Sequence, residues 1–224
     1  MPKGAEKARD PYDGLRPWSA ITHGFGAVLT IIGAAVLLRR AVKAGFDTVG
    51  IVAFTIYALS MIALYTASTL YHSLRTGVKG RMILGKADHL SIYLLIAGTY
   101  TPLCVLALDG AWRVSILSVI WGLTAVGWII KLIWLRLPRG VTASIYIILG
   151  WLCVIAIYPL WTSIGAVGIF WLLFGGFFYT FGGILYAVKW PGKNNPRFGC
   201  HEIFHVFILL GSIAHYIMMF YILP

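Results

Sequence analysis

The sequence predicts an all-α integral membrane protein, a bundle of seven transmembrane helices. One observation is composition: 60% of the 224 residues are hydrophobic and 11% are charged. About a quarter of the residues of a soluble domain are charged, so this chain cannot cover a surface that faces water. The other observation is seven apolar segments, each long enough at about 20 residues to cross roughly 30 Å of hydrocarbon.

Short loops separate the segments, so neighbours in sequence are expected to be antiparallel neighbours in space. The predicted segments are 18–38, 49–74, 87–108, 112–135, 141–160, 165–188 and 199–223. No linker or change in composition divides the chain, which predicts a polar tail at 1–17 and one transmembrane domain at 18–224. The tail has no short apolar core followed by a cleavage site, so we expect no signal peptide.

The distribution of Lys and Arg predicts the orientation. Fourteen of these residues flank one side of the segments and four flank the other. By the positive-inside rule, the N-terminus is cytoplasmic, the C-terminus is outside, and the chain is a multi-pass protein of the inner (plasma) membrane. The net charge of +11 therefore lies in loops as an insertion signal, which argues against a nucleic-acid partner.

The first three segments contribute polar residues near their ends. His23 lies in the first segment, Ser68 and His72 end the second, and Asp88 and His89 begin the third. Residues four apart on a helix lie about 40° apart around its axis, so Ser68 and His72 share one face. The end of the second segment and the start of the third meet the same leaflet.

The fourth to sixth segments contain no acidic residue. Glycines and prolines in the spans, such as Gly98, Pro102, Pro159 and Gly175, are expected at kinks or close helix contacts. A trail of acidic residues at the bilayer midplane would mark an ion path. Its absence from the sequence disfavours a metal or proton transporter.

The seventh segment begins with His201 and His205, which are also four residues apart. With seven spans, this segment starts at the leaflet where His72 and Asp88 lie. Three neutral imidazoles and a water form an open tetrahedral zinc site. The predicted ligands of Zn²⁺ are therefore His72, His201 and His205, although iron and copper also accept imidazole.

Two of the seven acidic residues, Asp88 and Glu202, lie at this cluster. A carboxylate near the hydrocarbon needs a partner, and Asp88 could hold a metal-bound water or orient an imidazole. Glu202 is about 100° around the helix from His201. We therefore expect Glu202 to face a neighbouring helix or the interface.

Other side chains leave alternatives open. His23 or His89 could replace one ligand, but we favour packing or hydrogen bonding for His23 and a loop-side position for His89. Cys200 is disfavoured as a fourth ligand because it points about 100° away from His201. Ser68 could bond to its own helix backbone. His215 is interpreted as a hydrogen-bonded packing residue.

Together, these motifs resemble the progestin and adipoQ receptor family. The resemblance rests on Ser68-x-x-x-His72, on Asp88 and on His201-x-x-x-His205 in seven spans. The short tail, the Thr-His-Gly at 22–24 and the run at 98–102 look most like its bacterial haemolysin III branch. The family implies zinc on the three histidines, an aspartate at the zinc-bound water, and kinship with alkaline ceramidases.

Two functions are carried forward. The first is a zinc-dependent hydrolase of a membrane-lipid amide or ester, with Asp88 as general acid–base and Ser68 as donor to the oxyanion. The second is a cytolytic channel or a receptor in which zinc clamps the second and seventh helices together. A site with three protein ligands and an open position favours catalysis.

Overall fold

The computed structural model describes residues 15–133, 138–192, 195 and 198–223, and the regular structure within these ranges is entirely helical. A short 3₁₀ segment, Leu152–Ala156, connects the fifth and sixth helices. The helices are α1 (Pro17–Lys43), α2 (Thr48–Ser73), α3 (Val78–Ala107), α4 (Gly110–Ile133), α5 (Arg139–Trp151), α6 (Ile157–Val188) and α7 (Cys200–Met219). The predicted tail at 1–17 lies outside the described residues except for its last three positions.

Six helical stretches in the described ranges are long and apolar enough to cross a membrane. The sequence predicts seven segments, and the difference arises at one place. Predicted segments 141–160 and 165–188 both fall within the 50-residue stretch Arg139–Val188. Within it, Gly165 has a φ of 68° and a ψ of 178°, which is not a helical conformation. That backbone favours glycine, because a φ near +70° is unfavourable for other residues.

Helix α3 begins at Val78, well before the predicted residue 87. Two basic side chains in its first three turns donate hydrogen bonds to carbonyl oxygens of neighbouring helices. The guanidinium of Arg81 donates to the carbonyl of Tyr71 and lies over that ring, and Lys86 Nζ donates to the carbonyl of Leu132 at 3.1 Å. Long basic side chains can run along an apolar surface in this way, so the helix continues through them. Asp88 therefore lies inside α3 rather than at its start.

The helices pack so that α1 and α7 meet. Helix α1 packs against α2 and α7, α2 also packs against α3, and α6 packs against α5 and α7. Small residues allow close approach, as is usual between membrane helices. A Cβ on Gly98 would lie 2.6 Å from the Cβ of Ser60 in α2.

Large side chains separate an inner core from an apolar outer surface. Phe54, Tyr57, Tyr65 and Tyr93 are fully buried among the helices. Many large hydrophobic residues are exposed on the outside, among them Phe25, Val114, Ile148, Phe170 and Phe177. An apolar surface of this extent suits lipid and not water. The protein is a multi-pass membrane protein, as the composition predicts.

Candidate metal centre

Three histidines from helices α2 and α7 form one compact group. His72 lies in the last turn of α2, and His201 and His205 lie in the first two turns of α7. One ring nitrogen from each residue lies within 4.8 Å of the other two. The ring centres are 4.8 to 5.0 Å apart. We call this group the histidine triad.

The geometry of the triad fits a metal ion. Zn–N bonds of about 2.0–2.1 Å in a tetrahedral site separate two ligand nitrogens by roughly 3.3–3.4 Å. The Nε2 atoms of His72 and His201 are 3.3 Å apart. His72 and His205 are buried and His201 is half-buried. The histidines predicted as ligands therefore form a buried group that could hold a metal ion.

Glu202 and Arg16 hold the helices that carry the triad. The Glu202 carboxylate accepts hydrogen bonds from Arg16 Nη1 at 3.0 Å, from Ser19 Oγ at 3.3 Å and from the Gly199 amide at 2.9 Å. The Arg16 amide also donates to the carbonyl of His72 at 3.1 Å. As predicted, Glu202 faces a neighbouring helix, which is α1. Its buried position ties the start of α7 to α1 and, through Arg16, to the end of α2.

His23 is a ring neighbour of the triad and not a member of the compact group. Its ring stacks on His205 with the centres 3.7 Å apart and the planes at 24°, and it meets Tyr65 edge-on at 5.0 Å. Neither of its ring nitrogens has a hydrogen-bond partner among the described residues. The stacking agrees with the packing role that the sequence suggested for His23, and the hydrogen-bonding alternative finds no partner there.

The other residues considered as possible ligands or packing residues, His89, His215 and Cys200, are not members of the triad. His89 Nδ1 lies 2.7 Å from the carbonyl of Gly85 in its own helix, so His89 is helical rather than loop-side. His215 Nε2 lies 3.1 Å from the carbonyl of Leu172, consistent with packing between α7 and α6. Cys200 is buried and is not part of the compact metal-ligand group found in the described ranges.

A cavity of about 300 Å³ extends from the triad into the bundle, and Ser68 and Asp88 both line it. Ser68 Oγ is buried and has no hydrogen-bond partner in the described part of the chain, so it does not bond to its own helix. The Asp88 carboxylate is half-buried, 3.8 Å from His89 Nδ1. The cavity reaches His215, ten residues beyond His205 on α7, or about 15 Å at 1.5 Å per residue.

The comparison with known families settles the relationship that the motifs suggested. Residues 17–216 match the model of the family described as "Haemolysin-III related". The chain belongs to the haemolysin III-related family. It is 39% identical over 207 residues to "Hemolysin-3" of Bacillus cereus, covering 92% of this chain and 91% of that protein. It is 38% identical over 204 residues to "Hemolysin-3 homolog" of Bacillus subtilis, covering 91% and 92%.

A more distant relative connects this haemolysin III-related chain to the receptor branch. The "Adiponectin receptor protein" of Drosophila melanogaster is 25% identical over 213 residues, which cover 87% of this chain and 48% of that protein. The predicted resemblance to the progestin and adipoQ receptor family is therefore confirmed. The bacterial relatives share nearly the full length of this chain, whereas the insect receptor is about twice as long.

One residue of the haemolysin III-related site is missed by sequence reasoning. Arg16 falls in the predicted polar tail at 1–17, yet its guanidinium reaches Glu202 and its side chain lines the cavity. The available signal is on α7, where Glu202 stands three residues after Gly199, the spacing at which a glutamate accepts from the N-cap amide; the Gly199 amide donates to Glu202 Oε2 at 2.9 Å. No local pattern marks Arg16 as the partner.

Proposed function

We propose that this haemolysin III-related protein holds Zn²⁺ on the histidine triad and hydrolyses an amide or ester bond of a membrane lipid. The observation that carries the proposal is a triad of protein ligands at the end of a cavity inside the bundle. Three protein ligands leave a fourth position open, which is typical of catalytic zinc sites. A closed structural site uses four protein ligands.

Bound zinc would supply Lewis acidity toward a carbonyl oxygen and would acidify water. Asp88, on the cavity wall, would accept a proton from the attacking water and deliver it to the leaving group. Ser68 would donate its hydroxyl hydrogen to the developing oxyanion. The lack of any other partner for Ser68 Oγ in the described chain supports that role.

The rest of the cavity suits an acyl chain. Its wall beyond the triad includes Leu95, Leu103, Ile147 and Leu172, and a ligand pocket is usually apolar with a few placed polar groups. Ser68 and Asp88, the residues proposed to act on the carbonyl, line the cavity together with the triad. A lipid would therefore lie with its carbonyl at the histidines and its chain toward His215.

The contact within the triad also supports seven crossings, and the excess of Lys and Arg on one side of the predicted segments supports a cytoplasmic N-terminus. His72 ends α2 and His201 begins α7, and their Nε2 atoms are 3.3 Å apart, so an even number of crossings separates them. Helices α3 and α4 supply one each. The stretch Arg139–Val188 then supplies two, since 50 helical residues would extend about 75 Å, far beyond roughly 30 Å of hydrocarbon.

Incubation of purified protein with ceramides, other acyl amides and ester lipids tests the hydrolase. We expect metal-dependent release of fatty acid by the natural protein and loss of release in Asp88→Asn with zinc content unchanged. Asp109→Asn is the matched control, because Asp109 is exposed and bonds Arg113. No metal-dependent product from any lipid in the panel would overturn the proposal.

A second candidate is a cytolytic channel or receptor in which zinc is a structural clamp. Two observations favour it: the triad joins α2 to α7, and the bacterial relative bears the name "Hemolysin-3". Dye leakage from liposomes separates the candidates. Leakage that persists in Asp88→Asn but stops in His72→Ala would support the clamp. Leakage in neither variant, together with product release by the natural protein in the lipid panel, would support the hydrolase.

A further inference from the structure

A second polar group lines the cavity, on the side formed by α4 and α5. Lys131, in the last turn of α4, is buried, with a relative exposure of 1%. Its Nζ donates to Thr142 Oγ1 in α5 at 3.2 Å. An ammonium has three donor hydrogens, and this bond uses one of them. Lys131, Thr142 and Arg139 all line the cavity, and we call them the basic group.

No carboxylate in the described part of the chain forms an ion pair with the basic group. Three described carboxylates are engaged elsewhere: Asp47 caps α2, Asp109 bonds Arg113 and Glu202 bonds Arg16. The fourth, Asp88, lines the same cavity and lies 3.8 Å from His89 Nδ1. Burying a cation without a counter-charge is unfavourable. The end of α4 offsets part of this cost, since cations are favoured at helix C-termini. A bound anion would offset more of it.

Arg139 connects the basic group to the triad. Its guanidinium carbon lies 5.0 Å from the centre of the Tyr186 ring, and that ring lies 5.6 Å from the ring of His201. The guanidinium carbon therefore lies within about 11 Å of the centre of the His201 ring, by the sum of the two distances. Arg139 is also the first residue of α5, and a helix N-terminus attracts anions.

The donors around this position converge from two helices. Arg139 and Thr142 are three residues apart on α5, so they are surface neighbours about 5–6 Å apart at Cβ. Lys131 reaches Thr142 from α4, and the hydrogen of the Thr142 hydroxyl is not used in the bonds described for it. An ammonium, a guanidinium and a hydroxyl are the donors that phosphate and carboxylate groups accept best.

We propose that the basic group binds the anionic phosphate or carboxylate of a lipid whose chain occupies the cavity. This inference rests on the proposed function in one respect: the ligand is taken to be the lipid that is hydrolysed at the triad. The anionic group lies on the α4–α5 side, and the carbonyl to be cleaved lies at the histidines, within about 11 Å of it. The substrate class is therefore an anionic lipid rather than a neutral ceramide.

Binding by full-length protein in a neutral detergent tests the proposal without turnover. The probes are hexadecyl phosphate, hexadecanoate and hexadecanol, which share one chain, and inorganic phosphate. We expect at least one anionic probe to bind about tenfold or more tightly than hexadecanol, since a hydrogen bond between charged groups contributes about that factor. Whichever anion binds more tightly identifies the headgroup. Inorganic phosphate is expected to compete weakly.

Two variants locate the effect. Arg139→Gln and Lys131→Met are expected to reduce the preference for the anionic probe to about threefold or less, the loss of one charge-assisted bond, with hexadecanol binding unchanged. Arg139 is exposed, so its variant remains informative if Lys131→Met fails to fold. Lys86→Met is the matched control: Lys86 bonds the Leu132 carbonyl in the same region and is expected to retain the preference.

A metal-free control separates this site from the triad. His205→Ala is expected to keep the preference for the anionic probe, which excludes binding of the anion to the metal. Equal binding of the charged and neutral probes, or an unchanged preference in Arg139→Gln, would overturn the proposal. Full displacement by low-millimolar inorganic phosphate would assign the site to free phosphate and overturn the lipid assignment. Release of fatty acid from neutral lipids alone would support the hydrolase and overturn only this inference.

Discussion

Arg16 Nη1 and Glu202 Oε1 are 3.0 Å apart, although 186 positions separate the two residues in the chain. The Glu202 side chain is 2% exposed and the Arg16 side chain is 34% exposed. The pair therefore joins the start of α1 to the start of α7 at the edge of the bundle. Because Arg16 also bonds the backbone of His72, it positions both halves of the triad.

Replacing Glu202 with Ala should destabilise the fold and weaken metal binding together. The variant leaves the Gly199 amide without its partner and Arg16 without its counter-charge. We expect a loss of about 1.5–3 kcal/mol in the free energy of unfolding, the range for hydrogen bonds to charged groups. Unfolding of the detergent-solubilised protein in SDS measures the stability, and metal titration measures the affinity.

The exposed pair Arg113–Asp109 provides the control for this variant. Its bond is 2.8 Å long, and the Asp109 side chain is 99% exposed. A surface pair contributes about 0.2–1 kcal/mol or less, so Asp109→Ala should leave both stability and metal affinity nearly unchanged. Equal effects of the two substitutions would contradict a positioning role for Glu202.

Metal content should depend on each member of the triad and not on other buried histidines. We expect His72→Ala, His201→Ala and His205→Ala each to lower the bound metal per protein by about tenfold or more at limiting zinc, because two ligands do not complete a tetrahedral site. Elemental analysis of purified protein measures it. His215→Ala is the control, since His215 bonds Leu172 instead. Metal retained in all three triad variants would rule out the site.

Local spacing and span counting were sufficient to predict the triad. His201 and His205 share a face because helical periodicity places residues four apart together. His72 was placed near them by the predicted topology alone, in which seven spans return the chain to one leaflet; the described ranges contain six stretches long enough to cross, so the count of seven stays a prediction. Both arguments depend only on the periodicity and the number of the predicted helices. The structure brings these three side chains together.

The partners of the triad could not be predicted, because they depend on how helices pack. The reach from Arg16 to Glu202 follows from α1 lying beside α7, and no sequence period encodes that neighbour. The early start of α3 is not predicted because Arg81 and Lys86 fall between the predicted segments 49–74 and 87–108. Their side chains find carbonyl acceptors in other segments, which a hydropathy count does not include.

The contact between α2 and α3 should be sensitive to one methyl group. Gly98→Ala would place a Cβ 2.6 Å from the Cβ of Ser60, so the helices must separate. Overpacking of this kind costs about 1–3 kcal/mol. At Gly122 in α4 an added Cβ meets nothing within 4 Å, and Gly122→Ala should be neutral or stabilise by up to about 1 kcal/mol. The SDS unfolding midpoints of the two variants compare these effects, and equal midpoints would contradict the close contact.

Cysteine labelling in intact cells should distinguish seven crossings from six. The three natural cysteines are buried, so new cysteines at exposed positions report against a low background. Gly140 lies at the start of the stretch Arg139–Val188, Trp190 lies just beyond its end, and Ser163 lies near its bend at Gly165. If this stretch crosses twice, Gly140→Cys and Trp190→Cys lie on one side of the membrane and Ser163→Cys lies on the other.

With the N-terminus in the cytoplasm, a membrane-impermeant maleimide should label Ser163→Cys in intact cells. It should label Gly140→Cys and Trp190→Cys only after permeabilisation. The opposite pattern would reverse the orientation and keep the seven crossings. Labelling of Gly140→Cys and Trp190→Cys from opposite sides would mean a single crossing. It would then be incompatible with the 3.3 Å separation of His72 and His201, because an odd number of crossings would place these residues at opposite faces of the bilayer.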